Sequence, residues 1–240
     1  MVNDQYRWEQ DKHDSTENVL TLVKPKLMIL LNLDTFIPIE NDTKNDALKS
    51  LLDIFEGSDF YGISKPVSGV HLPTGISSRV QWMGPAGNPK EDPDAWWQPR
   101  REKFLRNKGE KTFTVRLKRN SDVPTEFLKR SVALENGCAI PIYTLHCYVS
   151  GRLAYQGIGE LLSFAVCRTR TLITMIKNGK EGVDYTTNEV SKNGAASFIV
   201  VGWQEFCNRY PKDFWVWPTG FVKYKKPQKS PQKSLFEFSR

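Results

Sequence analysis

Histidine, cysteine and glycine signatures of chemistry are sparse in this chain of 240 residues. There are 3 histidines and 4 cysteines. No C-x-x-C, H-E-x-x-H or paired-histidine spacing occurs, which excludes the common zinc sites. No G-x-x-x-x-G-K-[ST] occurs, so a P-loop is excluded. "YQGIGELL" lacks the third glycine of a dinucleotide loop and precedes a strand-like run. "GIS" and "SSR" carry serines without a G-x-S-x-G elbow. Glu91, Asp92 and Asp94 lie in a proline-rich loop, a poor place to raise a carboxyl pKa for acid–base work. Long apolar runs are missing too: "LMILLNL" is far too short to span a bilayer. The opening "MVNDQYRWEQDKHD" is polar and mixed in charge, unlike a signal peptide. A soluble protein without a membrane partner is expected, and no enzyme chemistry can be assembled.

The thiols are widely spread, at Cys138, Cys147, Cys167 and Cys207, each among apolar neighbours. Buried, reduced cysteines are expected. His146 and Cys147 are adjacent on an alternating run, so they point to opposite faces and cannot act as a base–nucleophile pair. His146 reads as a structural histidine with its hydrogen bonds satisfied.

What is present is apolar and aromatic substance: 39% hydrophobic and 12% aromatic, enough for a core. The net charge is +7. Lys223, Lys225, Lys226, Lys229 and Lys233 supply five of these charges, leaving +2 for the rest, so the basicity belongs to the tail. That tail contains the tandem PQKS-PQKS, at 227–230 and 231–234, and ends "LFEFSR". Residues 223–240 therefore form a basic C-terminal arm that grips nucleic acid, stays solvated, or packs on another copy through Phe236 and Phe238.

Along the chain, residues 1–17 form an N-terminal helical arm with only Tyr6 and Trp8 to bury, so it needs a partner surface. Residues 18–39 read as two strands broken at Pro25-Lys26. Residues 43–56 form a helix with Ala47, Leu48, Leu51, Leu52 and Phe55 on one face, stopped by Gly57. Residues 58–110 read as a long irregular insertion. Within it, Trp96 and Trp97 can stack on a base while Arg100 and Arg101 take phosphate; the alternative is a loop anchored by its tryptophans. "TFTVRLKR" alternates as a half-buried strand, with Phe113, Val115 and Leu117 on one face. "AIPIYTLHCYV" and "LLSFAVC" are further strands. A hairpin is expected at Asn178-Gly179, and a helix over 195–210 ending before Pro211. The expected fold is mainly β with a few helices: a β-sandwich domain over 18–222.

Two stretches carry a family likeness. "DVPTEFLKRS", residues 122–131, follows the alternating strand, and "EFCNRY" spans 205–210. Together with "LLSFAV", "HLPTG" at 71–75 and the early helix, they resemble the polyhedrins of cypoviruses. The resemblance is concentrated in residues 112–210. It implies a β-sandwich with an extended N-terminal helix, assembled as trimers in a cubic lattice. It implies a structural role in occlusion bodies, formed in the host cytoplasm around virus particles and dissolved in an alkaline midgut. No cofactor is required, although nucleoside triphosphates are implied as structural ligands. Under this reading Tyr6, Trp8, Phe236 and Phe238 make assembly contacts, and Tyr143, Tyr148 and Tyr210 are candidate alkaline-responsive groups. The alternative is a single-stranded-RNA-binding protein using the tail and the Trp96/Trp97/Arg100/Arg101 cluster.

Overall fold

The computed structural model describes residues 13–39, 58–66, 69–82, 111–118, 125–149, 160–180, 183–188 and 196–222. Tyr6, Trp8, the 43–56 helix, the Trp96–Arg101 cluster and the tail with Phe236 and Phe238 lie outside these residues.

Among the described residues, nine strands form two sheets. The larger has six strands: β1 (Leu33–Pro38), β2 (Phe60–Ser64), β3 (Pro73–Trp82), β5 (Tyr143–Val149), β6 (Leu161–Arg168) and β9 (Phe214–Trp217), in that order. All its pairs are antiparallel except β3 with β5. The smaller sheet runs β4 (Thr112–Lys118), β8 (Ala196–Gly202), β7 (Val183–Asn188), all antiparallel. Four α-helices accompany them: α1 (Lys24–Leu30), α2 (Glu126–Glu135), α3 (Thr169–Lys177) and α4 (Trp203–Arg209). The protein is thus a mixed α and β fold, rich in strand, with two sheets.

The large sheet is covered on both faces. Leu145, Cys147 and Val149 of β5, with Phe164 and Val166 of β6, pack with Val19, Val23 and Leu27. On the other face, Tyr148, Ala165 and Cys167 pack with Phe113 and Val115 of β4, Ile199 and Val201 of β8, Leu172 and Met175 of α3, and Trp203 and Phe206 of α4. Being buried on both sides, β5 and β6 read as near-continuous apolar runs rather than clean alternations. Each buried Leu, Ile, Val or Phe side chain contributes roughly 1.5–3 kcal/mol.

Four readings of the sequence are corrected. Residues 18–30 are not strands: 13–18 are helical, a π-helical turn spans Val19–Val23, and α1 follows. Pro25 does not break the run because it sits in the first turn of α1, where a missing N–H costs little. The spacing Val19, Val23, Leu27 buries one helical face on the sheet. The insertion at 58–110 is not irregular throughout, since β2 and β3 lie within it. Gly62 allows the close β1–β2 approach there: a Cβ would meet Leu33 Cδ1 at 3.0 Å.

The expected hairpin at Asn178-Gly179 is instead the end of α3. Gly179 has φ +55°, and its N–H donates to the Ile176 carbonyl. Asn-Gly supplies a left-handed residue equally well to a hairpin and to a helix C-terminus. Finally, 195–210 is half strand and half helix. Val200 and Val201 belong to β8, and the helix starts only at Trp203. It ends at Arg209, ahead of Pro211, as expected.

Candidate functional site

Among the described residues β4 is an edge strand, paired by β8 on one side only. An open edge exposes backbone donors and acceptors and invites foreign strands. Here three side chains, from β5, from β3 and from the start of α2, cover it. The Tyr148 phenol, reaching across from the large sheet, accepts from the Thr112 N–H at 3.0 Å and donates to the Thr112 carbonyl at 3.3 Å. Arg79 of β3 donates through Nη1 to the Thr114 carbonyl at 3.3 Å. Thr125, just before α2, donates through Oγ1 to the Leu117 carbonyl at 2.9 Å. These bonds replace part of a fourth strand and join the small sheet to the large one.

The same seam gathers charge. Glu126 and Arg130, one helical turn apart, form an ion pair at 2.5 Å, with the Arg130 side chain 3% exposed. Asp59 accepts the Ser78 N–H at 2.5 Å. Arg79 lies with its Cζ 4.8 Å from the Phe198 ring centre, and Arg116 lies 5.8 Å from the same centre. Burial lowers the Arg79 pKa from its ordinary value; the Glu126 carboxylate opposes this and the Arg116 charge reinforces it.

Beside Arg79 in the β3–β5 register stands His146. Its ring stacks on Tyr148 at 5.0 Å between centroids and 7° between planes. Trp203 meets both rings edge-on. Burial, with the nearby Arg79 charge, pushes the His146 pKa down to about 3, so the imidazole is neutral at physiological pH. The expectation of a satisfied histidine is half corrected: His146 is structural and buried, but its Nε2 has no partner among the described residues. Cys147 faces the opposite layer, as the alternation requires, so His146 has no thiol to activate.

Of the three tyrosines singled out from the sequence, Tyr148 alone enters the seam. Burial raises its phenol pKa, against the pull of the two Thr112 bonds and of Arg79. Tyr143 is on the other face, near Trp215 and under the Arg168 guanidinium at 5.2 Å. Tyr210 packs on Phe206 at the rim of the core. All four cysteines are free. Cys147, Cys167 and Cys207 are buried, but Cys138 is exposed, because it falls just past the α2 cap at Asn136-Gly137. Among the described residues there is no group of three or more side chains able to hold a metal, and no helix long and apolar enough to cross a membrane.

Sequence reading missed Arg79, Arg116 and Phe198. Their one signal is the repeated placement of arginine on the polar face of an alternating strand. It also left "DVPTEFLKRS" without a physical role. That stretch supplies Thr125 and the Glu126–Arg130 pair to the seam, while "EFCNRY" supplies Phe206, Cys207 and Tyr210 to the core beneath it. No family model, no curated protein and no solved structure matches the chain.

Proposed function

We propose that the chain is a structural protein that assembles with copies of itself into crystalline occlusion bodies of the cypovirus polyhedrin kind. The supporting observation is the convergence of the two resembling stretches on one place. The first closes the open edge of β4, and the second fills the core under it. The seam also supplies an alkaline trigger. Ionising Tyr148 removes the donor to the Thr112 carbonyl and places an anion against it. In this reading the trimeric, β-sandwich architecture of polyhedrins, cytoplasmic assembly around virus particles, and dissolution in alkali follow as one set of expectations.

The test is expression of the full chain in insect cells. Refractile, cytoplasmic inclusions that diffract and dissolve above about pH 10 are the expected result. Uniformly soluble protein, or amorphous aggregates without lattice order, overturns the reading.

A further inference from the structure

The seam contains an imbalance of charge with a definite location. Of the two carboxylates near it, Glu126 is engaged by Arg130 and Asp59 by the Ser78 N–H. Arg79 and Arg116 have no ion-pair partner among the described residues. Arg79 offers its five donors to a single acceptor, the Thr114 carbonyl. Arg116 has a buried Nε with no hydrogen-bond partner. Both guanidinium groups stand against the one Phe198 ring, and Thr114, Arg116 and Phe198 alternate with the core-facing Phe113, Val115, Ile199 and Val201. They therefore share the outer face of the small sheet, and Arg79 reaches them past the β4 edge.

Burial and the Arg116 charge both disfavour the Arg79 guanidinium, and Glu126, already held by Arg130, offsets this only in part, so a further counter-ion on this apolar floor is favourable. The neighbouring His146 stays neutral, so it adds no third positive charge, but an imidazole cannot act as a counter-ion. Hydrogen-bonding forks with open donors match the edges of a carboxylate or phosphate group.

We propose that Arg79 and Arg116, over the Phe198 ring, form a binding site for a single small oxyanion, the chemistry shared by phosphate and carboxylate. The anion bridges the two guanidinium groups and takes the open Arg116 Nε–H. Its charge offsets their mutual repulsion and so ties β3 to β4. The site is a property of one subunit and does not depend on self-assembly.

The experiment uses dispersed full-length protein. Thermal melting is followed against rising concentrations of phosphate, of acetate and of chloride at matched ionic strength, with isothermal calorimetry for direct binding. A saturable rise in melting temperature with phosphate or acetate is expected, roughly 5 °C at concentrations far above Kd, beyond anything chloride gives. A rise with phosphate alone assigns the site to phosphate, and an equal rise with acetate assigns it to carboxylate groups. Arg116→Gln is expected to abolish both the rise and the calorimetric signal. Arg116→Lys keeps the charge without the fork and is expected to weaken binding at least tenfold. Arg170→Gln, an exposed arginine on α3, is expected to change neither. Arg79→Gln is a harsher change because it also uncovers the Thr114 carbonyl, so the Arg116 variants carry the test. Equal slopes for all three anions overturn the proposal, as does a full oxyanion response in Arg116→Gln.

Discussion

The two faces of the six-stranded sheet are both buried, yet they are built from different chemistry. Under the N-terminal helix, Val19, Val23, Leu27, Leu33, Leu145 and Val166 make a mainly aliphatic layer with two stacked pairs, Phe36 on Phe60 at 4.8 Å and Phe164 on Trp217 at 6.1 Å. Toward the small sheet, rings from Phe113, Tyr148, Trp203, Phe206 and Phe214 interlock, and the buried imidazole and phenol sit among them, beside Arg79 and Arg130. The first layer responds to loss of volume, and burial holds the pKa of its one buried thiol, Cys147, well above the ordinary value, so it stays uncharged. The second layer responds to volume and to protons. The difference places the acid-sensitive imidazole of His146 on the face toward the small sheet and not on the other.

The sharpest way to separate the faces is acid. His146 has a folded pKa of about 3, below the ordinary value of 6.5. The unfolded chain therefore takes up a proton that the folded one resists. The stabilising contribution is complete above pH 6.5 and is lost as pH falls from there toward 3. By pH 4 the loss is about 3 kcal/mol. In His146→Leu that share of the acid limb is expected to vanish, as read by urea denaturation at a series of pH values. Leu27→Ala, on the aliphatic face, is expected to lower the whole curve without altering its slope. Identical acid limbs in His146→Leu and the parent protein would refute the assignment.

Volume comes next. Trp203 is fully buried and meets Phe113, His146, Tyr148 and Phe221. Trp203→Ala is expected to cost about 3–5 kcal/mol. It also removes the ring against which His146 and Tyr148 are held. Its pH dependence is therefore expected to flatten along with its stability, whereas that of Leu27→Ala does not. The measurement is the urea midpoint at pH 7 and at pH 5; a parallel shift at both would deny that Trp203 maintains the titrating stack.

Legibility in the sequence follows the same division. β4 was plain because only one of its faces meets the apolar core, so Phe113, Val115 and Leu117 alternate with polar residues. Neither β1 nor the helix before it was legible: the expected second strand began in the helix, and Asp34-Thr35, which has the composition of a turn, lies inside β1. Val, Leu and Ile favour strands locally, and only the spacing of Val19, Val23 and Leu27, set by packing on the sheet, betrays the helix. The same override hid α3, whose Leu172, Ile173, Met175 and Ile176 face the core. Of the three tyrosines singled out, Tyr148 is the one that bonds the β4 edge. Its companions Arg79, Arg116 and Phe198 were invisible, because they lie 37 or more positions apart in the chain and meet only when β3 faces β4.

The smallest expected effect at neutral pH is the most diagnostic at high pH. Tyr148→Phe deletes the phenol oxygen that closes the Thr112 edge, leaving the ring stack in place. Loss of a neutral hydrogen bond costs about 0.5–1.5 kcal/mol. Burial raises the folded phenol pKa above its ordinary value of 10.0. The folded state then holds the proton more tightly than the unfolded state does. Its contribution is complete below pH 10.0 and is lost progressively as pH rises above that value. The ionised phenol cannot donate to the Thr112 carbonyl, so the β4 edge is uncovered on the same rise. Tyr148→Phe should therefore be slightly less stable than the parent at pH 7 and lose less between pH 9 and pH 11 (about the range over which a phenol titrates). Tyr143→Phe, on the aliphatic face, and Tyr210→Phe, at the rim, serve as comparisons, with unfolding followed by tryptophan fluorescence. An alkaline limb that moves only in one of these two, and not in Tyr148→Phe, would shift the trigger out of the seam.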